Sequence, residues 1–233
     1  MELELAQKIL KRFEIDDAVF SINQNKTGLI NQTFELFTYE NKYILQRVNT
    51  QVFPNYQQGL ENIILIKKWL KKNNYSYEFP SPLQNQYLNF DNKIWRLLPY
   101  VKNSKSINKV SKIREAEEAV KCISEFYNCL EDFPIEKLNI TIPNFHSGAQ
   151  KILAFNKALK NSNELRKQNA WSLILEIERN LKILAEWDET CRKLPKRVIH
   201  YDTKINNFLF EKKTNNVIAL IDLDTLMLGC VLS

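Results

Sequence analysis

Five side chains in the last part of the chain have the types and spacing of a phosphoryl-transfer site. His200, Asp202 and Asn207 sit in Val198-Ile-His-Tyr-Asp-Thr-Lys-Ile-Asn-Asn-Phe, and Asp222 and Asp224 close Val217-Ile-Ala-Leu-Ile-Asp-Leu-Asp. Moving a phosphate from a nucleotide to a hydroxyl needs a carboxylate beside that hydroxyl and oxygen ligands that hold magnesium on the phosphates. On a loop after a short strand, Asp202 can accept a hydrogen bond from an incoming hydroxyl and orient it. Asn207, five residues on, offers an amide oxygen to a metal that Asp202 cannot hold by itself. Asp222 ends an apolar run, where a carboxylate is costly without a compensating cation or donors, and magnesium would be that cation. Asp224 lies two residues along, on the same side of an extended chain, and could bind a second metal or its water.

Each of these aspartates alone would pass for a turn residue. The His-x-Asp-x-x-x-x-Asn spacing, followed by an apolar strand ending in Asp, is what gives them meaning. Lys204 is within reach of a transferring phosphate as a point charge, or else is an exposed lysine. His200 reads as a packed residue that shapes the loop. His146, next to Phe145, reads as a contact between lobes or beside the substrate.

The elements that must position this set follow from periodicity. A helix is expected at Glu2–Phe13, where Leu5, Ala6, Ile9, Leu10 and Phe13 share a face. Extended segments follow near Val19–Asn25, Ile30–Tyr39 and Lys42–Val48, with turns at Lys26-Thr-Gly28 and Glu40-Asn41. A helix near Tyr56–Lys72 and two strands near Gln86–Phe90 and Lys93–Pro99 complete an antiparallel sheet with one helix packed on it. From Tyr100 the spacing turns helical (Ile113 to Leu130, Gly148–Lys160, Trp171 to Leu184), then reverts to short strands around the motif. The fold class expected is α+β: a two-lobed chain with an upper, sheet-based lobe over residues 1–99 and a lower helical lobe over residues 100–233 that carries the catalytic loop.

Composition narrows the alternatives. At 233 residues, 44% hydrophobic and 26% charged, the chain can bury a substantial core. No apolar run is long enough to span a bilayer, and the first residues lack the features of a signal peptide, so no membrane partner and a cytoplasmic location are expected. The net charge of +6 is spread over dispersed lysines without an aromatic and basic pattern, which argues against a nucleic-acid partner. Cys122 and Cys129 are seven apart on one helix, roughly 10 Å from each other and too far to bridge. Reduced thiols are expected throughout, and two histidines leave little for a zinc site.

These residues resemble the aminoglycoside phosphotransferase and choline kinase superfamily, with its protein-kinase-like fold. The resemblance makes Asp202 the catalytic aspartate, with Lys204 beside it, and Asn207 and Asp222 the ligands of Mg2+, with ATP as phosphate donor; members often carry Glu or Asp where Asp224 stands. Within that superfamily, Gly28-Leu-Ile-Asn-Gln-Thr-Phe34, Tyr43-Ile-Leu-Gln-Arg-Val-Asn49, Leu60-Glu-Asn-Ile63, Trp95-Arg-Leu-Leu-Pro-Tyr100 and Ile142-Pro-Asn-Phe-His146 look like the N-acetylhexosamine 1-kinase branch. This implies a nucleoside triphosphate and a sugar as partners, and transfer to the anomeric hydroxyl of an N-acetylated hexose. It also places Gly28, Asn31, Thr33, Arg47, Glu61, Pro99 and Tyr100 around the nucleotide. Departures accompany it. The nucleotide loop has a single glycine. Gln46 or Arg47 stands where kinases carry a strand lysine, and alternation lets only one face the cleft, with Glu61 available to pair with Arg47. The resemblance further implies more helices beyond Ser233, so the chain looks truncated at that end. Its alternatives are a non-catalytic nucleotide-binding remnant, or a phosphotransferase acting on an aminoglycoside or amino alcohol.

Overall fold

The computed structural model describes residues 1–25, 28 and 30–232. Lys26 and Thr27 of the first turn, Leu29 of the nucleotide loop and Ser233 lie outside the described residues. The upper lobe is a five-stranded antiparallel sheet in the order β1-β2-β3-β5-β4, built from β1 (Val19–Asn25), β2 (Gln32–Thr38), β3 (Lys42–Arg47), β4 (Leu88–Phe90) and β5 (Lys93–Pro99). Helix α1 (Leu3–Arg12) covers one face. Its Ala6, Ile9 and Leu10, with Phe13 beyond its end, pack on Phe34, Leu36, Leu45, Trp95 and Leu97.

Period-two alternation then sends the other residues of these strands to the opposite face. Thr33, Gln46 and Arg96 are register neighbours across β2, β3 and β5, and Glu35, Ile44 and Leu98 form the next such row. Arg47 instead aligns with Gln32 and Trp95, on the α1 side of the sheet.

Helix α2 (Tyr56–Lys72) matches the expected bounds but not the expected layer. Its buried Ile63, Ile66 and Leu70 join Phe126, Leu130, Phe210, Leu223 and Leu226 in the lower core. The helix packed on the upper sheet is α1. Amphipathic spacing identifies an apolar face without saying which layer it meets.

The lower lobe holds α3 (Ile113–Cys129), α4 (Gly148–Asn161), α5 (Glu164–Asn169) and α6 (Trp171–Lys193). Small sheets carry the motif: β6 (Ser104–Lys105), β8 (Phe208–Glu211) and β9 (Val217–Leu220) in one, β7 (Lys196–Ile199) and β10 (Met227–Cys230) in the other. Phe208, Phe210, Val217 and Leu220 bury one side of the β8–β9 hairpin against α3 residues Ala119, Cys122 and Phe126. The start of α4 is clamped to α6. The Asp188 carboxylate accepts from Gly148 N at 2.8 Å, Ala149 N at 2.9 Å and Ser147 Oγ at 3.0 Å. A Cβ at Gly148 would overlap the Leu184 carbonyl, so only glycine allows this approach. Among the described residues no helix is long and apolar enough to cross a membrane.

Candidate active site

The motif loop runs from β7 to β8 and is held from beneath by His200, which is fully buried. The Asp202 amide donates to His200 Nδ1 at 3.3 Å, so Nε2 carries the proton and donates to the Ile221 carbonyl at 3.1 Å. Thr225 Oγ1 donates to the His200 carbonyl at 2.6 Å. One imidazole thereby ties the loop carrying Asp202 to the strand end carrying Asp222. Burial pushes the His200 pKa down to about 4, against the pull of Asp202, which keeps the ring neutral. The expectation of a packed, loop-shaping histidine holds geometrically.

Asp202 remains 29% exposed. Its Oδ2 accepts from Lys204 Nζ at 2.6 Å and from Asn207 Nδ2 at 2.9 Å, and Asn207 Nδ2 also reaches the Asp202 carbonyl at 2.7 Å. With its NH2 committed to Asp202, Asn207 has Oδ1 as the atom that could face a metal. Backbone pairing locks the two segments together: Ile221 N donates to Asn207 O at 2.9 Å. Asp222 then takes a left-handed conformation, φ 64° and ψ 62°, immediately after β9. For a non-glycine residue this is a sparsely populated region, and such strain concentrates at working sites. Lys204 Nζ stands between the two carboxylates, 2.6 Å from Asp202 and 3.7 Å from Asp222. Burial lowers the Lys204 pKa, but Asp202 and Asp222 outweigh it and the net shift is upward. The Asp222 pKa is raised to about 6, first by burial and then by the neighbouring negative charge of Asp224. Asp202 and Asp222 form an electronegative pair that already draws one cation, Lys204.

The donor set suits magnesium. Among the described residues no group of three His, Cys, Asp or Glu side chains gathers as a closed metal cage. Magnesium is usually held by one or two protein oxygens plus phosphate oxygens and water rather than by such a cage. Asn207 Oδ1 and the 38%-exposed Asp222 carboxylate offer that number.

Asp224 does something else. The chain after Asp222 is not extended but turns through a 3-10 segment, Leu223–Thr225, which swings Asp224 up to the sheet lobe. There its carboxylate accepts from both terminal nitrogens of Arg96, Nη2 to Oδ2 at 2.8 Å and Nη1 to Oδ1, and from Asn31 Nδ2 at 2.8 Å. Both carboxylate oxygens thus already accept from protein donors, so the geometry gives Asp224 an interlobe contact in place of the open position expected for a second metal. Asn31, expected near the nucleotide, is buried in this link and also accepts from the Asn49 amide at 2.9 Å.

The strand position of the kinase lysine resolves to Gln46. It faces the cleft side with Arg96 and Thr33, accepting from Arg96 Nε at 2.8 Å and donating to Thr33 Oγ1 at 2.9 Å. The expected Arg47–Glu61 pair does not form. Arg47 lies on the α1 side of the sheet, while Glu61 is exposed and accepts from Asn139 Nδ2 at 2.9 Å. Its neighbour Asn62 is the buried polar residue of α2. Asn62 Nδ2 donates to the carbonyls of Asn139 and Leu226, both at 2.9 Å, and its Oδ1 accepts from Asn139 N at 2.8 Å. Arg96 and Asn62 escaped the sequence reading, although a charged residue inside Ile-Trp-Arg-Leu-Leu was a visible signal that it needs a buried partner. Pro99 and Tyr100 end β5 beside the β2–β3 hairpin, where a recess of about 580 Å³ also includes Thr38, Lys42 and Lys212. That recess contains none of Asp202, Asn207 or Asp222. Gly28 has no positive φ, and a Cβ there would meet Asn31 O at an ordinary 3.5 Å.

Comparison with known families decides the class. The profile of the phosphotransferase enzyme family matches residues 21–233, most of the chain and all of the site. The chain belongs to this family. Solved structures share the α+β, kinase-like fold of this phosphotransferase. A spectinomycin phosphotransferase in complex with ADP and spectinomycin superposes with a TM-score of 0.69 at 13% identity, over 98% of this chain and 70% of that one. A wild-type aminoglycoside 2'-phosphotransferase-IIIa in complex with GDP gives 0.59 at 15% identity, over 97% and 73%. LicA in complex with AMP gives 0.55 at 14%, over 97% and 70%. At these identities the likeness is one of fold.

Proposed function

We propose that this phosphotransferase is a small-molecule kinase that moves the terminal phosphate of ATP to a sugar hydroxyl, the anomeric hydroxyl of an N-acetylhexosamine. One observation carries the reading: Asp202, Asn207 and Asp222 are brought together by β7, β8 and β9, with Lys204 Nζ between the carboxylates. Asp202 accepts the acceptor's O–H hydrogen bond, aims its oxygen at the terminal phosphorus and takes the proton as the new O–P bond forms and the bond from that phosphorus to the ADP oxygen breaks. Asn207 and Asp222 are the residues that would hold Mg2+, whose chemistry is to neutralise charge on the phosphate oxygens. Lys204 can leave its carboxylate partners for a phosphate oxygen as negative charge builds on the departing nucleotide. On the cleft side of the sheet, half-exposed Ile44 and Leu98 offer an apolar surface for a base.

Adenine nucleotides in two of the structural neighbours support ATP as donor, and GDP in the third makes GTP the competing donor to assay. For the acceptor, the dispersed positive charge argues for a neutral sugar over a cationic amine. Transfer of labelled phosphate from ATP or GTP to N-acetylglucosamine and N-acetylgalactosamine, with Asp202→Asn as control, tests the proposal. Turnover no higher than that control on every acceptor would refute it. The uncharged Gln46 on the cleft face favours one second reading, nucleotide binding without transfer. A thermal shift with magnesium nucleotide but no turnover would select it.

A further inference from the structure

Three aromatic side chains close around the start of the Asp202 loop. Phe145 and His146 stack with ring centroids 4.3 Å apart and planes 23° apart, and Tyr201 meets them at 5.5 and 5.4 Å, steeply inclined to both. All three are half-buried, so part of each ring stays open to solvent. Two of them sit in left-handed backbone, His146 at φ 60° and Tyr201 at φ 64°, a conformation disfavoured for bulky side chains. Their supports are rigid. Asn55 Nδ2 holds the Thr141 carbonyl at 3.1 Å, the Asp188 clamp fixes Ser147, and Tyr201 Oη donates to the Leu228 carbonyl at 3.1 Å. Gly229 leaves no room for a Cβ beneath the Tyr201 ring. His146 is close enough to Asp202 to feel its charge.

We propose that Phe145, His146 and Tyr201 form the plate against which the acceptor ring lies, and that the ring they fit is an uncharged pyranose delivering its hydroxyl to Asp202. This rests on the reading of the protein as a sugar kinase. A stacked, partly open aromatic pair presents an apolar surface to the C–H face of a sugar while the sugar's edge hydroxyls remain free to hydrogen-bond. Tyr201 precedes Asp202 directly, so one left-handed residue positions both the plate and the base. A cationic ligand would also be drawn to aromatic faces. Here, however, Lys151 near the start of α4 acts on His146 against the charge of Asp202, so the carboxylate's pull on an ammonium group is offset at the plate and a neutral sugar is tolerated.

Steady-state kinetics on the full chain test this, with N-acetylglucosamine and N-acetylgalactosamine as neutral acceptors and kanamycin and choline as cationic ones. Phe145→Leu and His146→Ala should each raise the sugar KM by about tenfold, the size expected for one aromatic contact. Turnover and nucleotide KM should stay within about threefold, and His146→Phe should restore the sugar KM. Gly229→Ala, which displaces the Tyr201 ring, should raise the sugar KM as well. Thermal melting confirms that each variant folds, and Phe145→Leu keeps side-chain bulk in the site. A wild type active on sugars, with unchanged sugar KM in Phe145→Leu and His146→Ala, would overturn the plate alone. Parallel rises in sugar and nucleotide KM would mark a packing defect and overturn it too. Wild-type turnover confined to kanamycin or choline would instead remove the sugar reading, and the neutral-ring assignment with it.

Discussion

Arg96→Met would cut a buried ionic link between the sheet lobe and the turn after Asp222. Arg96 and Asp224 are 4% and 7% exposed, and their guanidinium–carboxylate pair joins β5 to the turn after Asp222. Burial works against the Arg96 charge, but Asp224 outweighs it and the pKa of Arg96 moves up, so the guanidinium stays charged. Removing the guanidinium leaves the Asp224 carboxylate buried with Asn31 Nδ2 as its remaining donor, and also orphans Gln46 Oε1. Breaking one side of a buried pair costs about 3–5 kcal/mol, because an uncompensated charge stays behind. For a chain of this size that lowers Tm by roughly 6–20 °C. Asp224→Leu alone should cost a similar amount. The double variant should cost much less than the sum, with a coupling of at least about 2 kcal/mol, since both charges leave together. Urea unfolding of the four proteins measures the cycle. Additive losses within about 0.5 kcal/mol would show that the pair does not act as a unit, and the interlobe-latch argument would fail.

The remaining predictions concern the lower lobe. Asp202→Asn should lower turnover by about a hundredfold or more while nucleotide affinity is kept, as read by single-turnover transfer and nucleotide titration. Magnesium-dependent nucleotide affinity should be level above pH 6 and fall by about tenfold per unit below it, because Asp222 must lose a proton whose folded-state pKa is about 6. Calorimetric titration across pH 5–8 would show this, and Asp222→Ala should abolish the binding. His200 should make the fold acid-sensitive. Its folded pKa of about 4 lies below the unfolded 6.5, so the unfolded chain binds more protons between those values. Stability is then full above about pH 6.5 and is lost as pH falls toward 4, by about 3 kcal/mol at most. The wild-type urea midpoint should fall relative to that of His200→Phe as pH drops from 7 to 4.

What the sequence disclosed and what it concealed divide along physical lines. Strand and helix bounds depend on local periodicity, and Tyr56–Lys72, Lys93–Pro99 and Val19–Asn25 come out as written in the residues. The clustering of Asp202, Asn207 and Asp222 was likewise legible, because the short β7–β8 loop and the β8–β9 hairpin leave those residues few other places to go. Layer assignment was not: α2 shows an apolar stripe, but only the folded lower core determines that Ile63 and Leu70 meet Phe126 rather than the sheet. The Gln46 or Arg47 ambiguity was equally intrinsic. Ile44 and Leu45 put apolar groups on both faces of β3, so alternation had no polar side to point to, and the register with Thr33 and Arg96 broke the tie. The largest reversal, Asp224, turns on one dihedral. With Asp222 extended, the two carboxylates would share a side; at φ 64° the chain turns, and Asp224 crosses to Arg96. A left-handed aspartate is costly, so its recovery has to come from elsewhere, and the buried Arg96–Asp224–Asn31 contacts are the ones that require it. The strain that sets Asp222 facing the cleft and the link that joins the lobes are therefore two ends of one turn. Loosening the latch should disturb metal-dependent nucleotide binding even though Asp224 is engaged by Arg96 and Asn31.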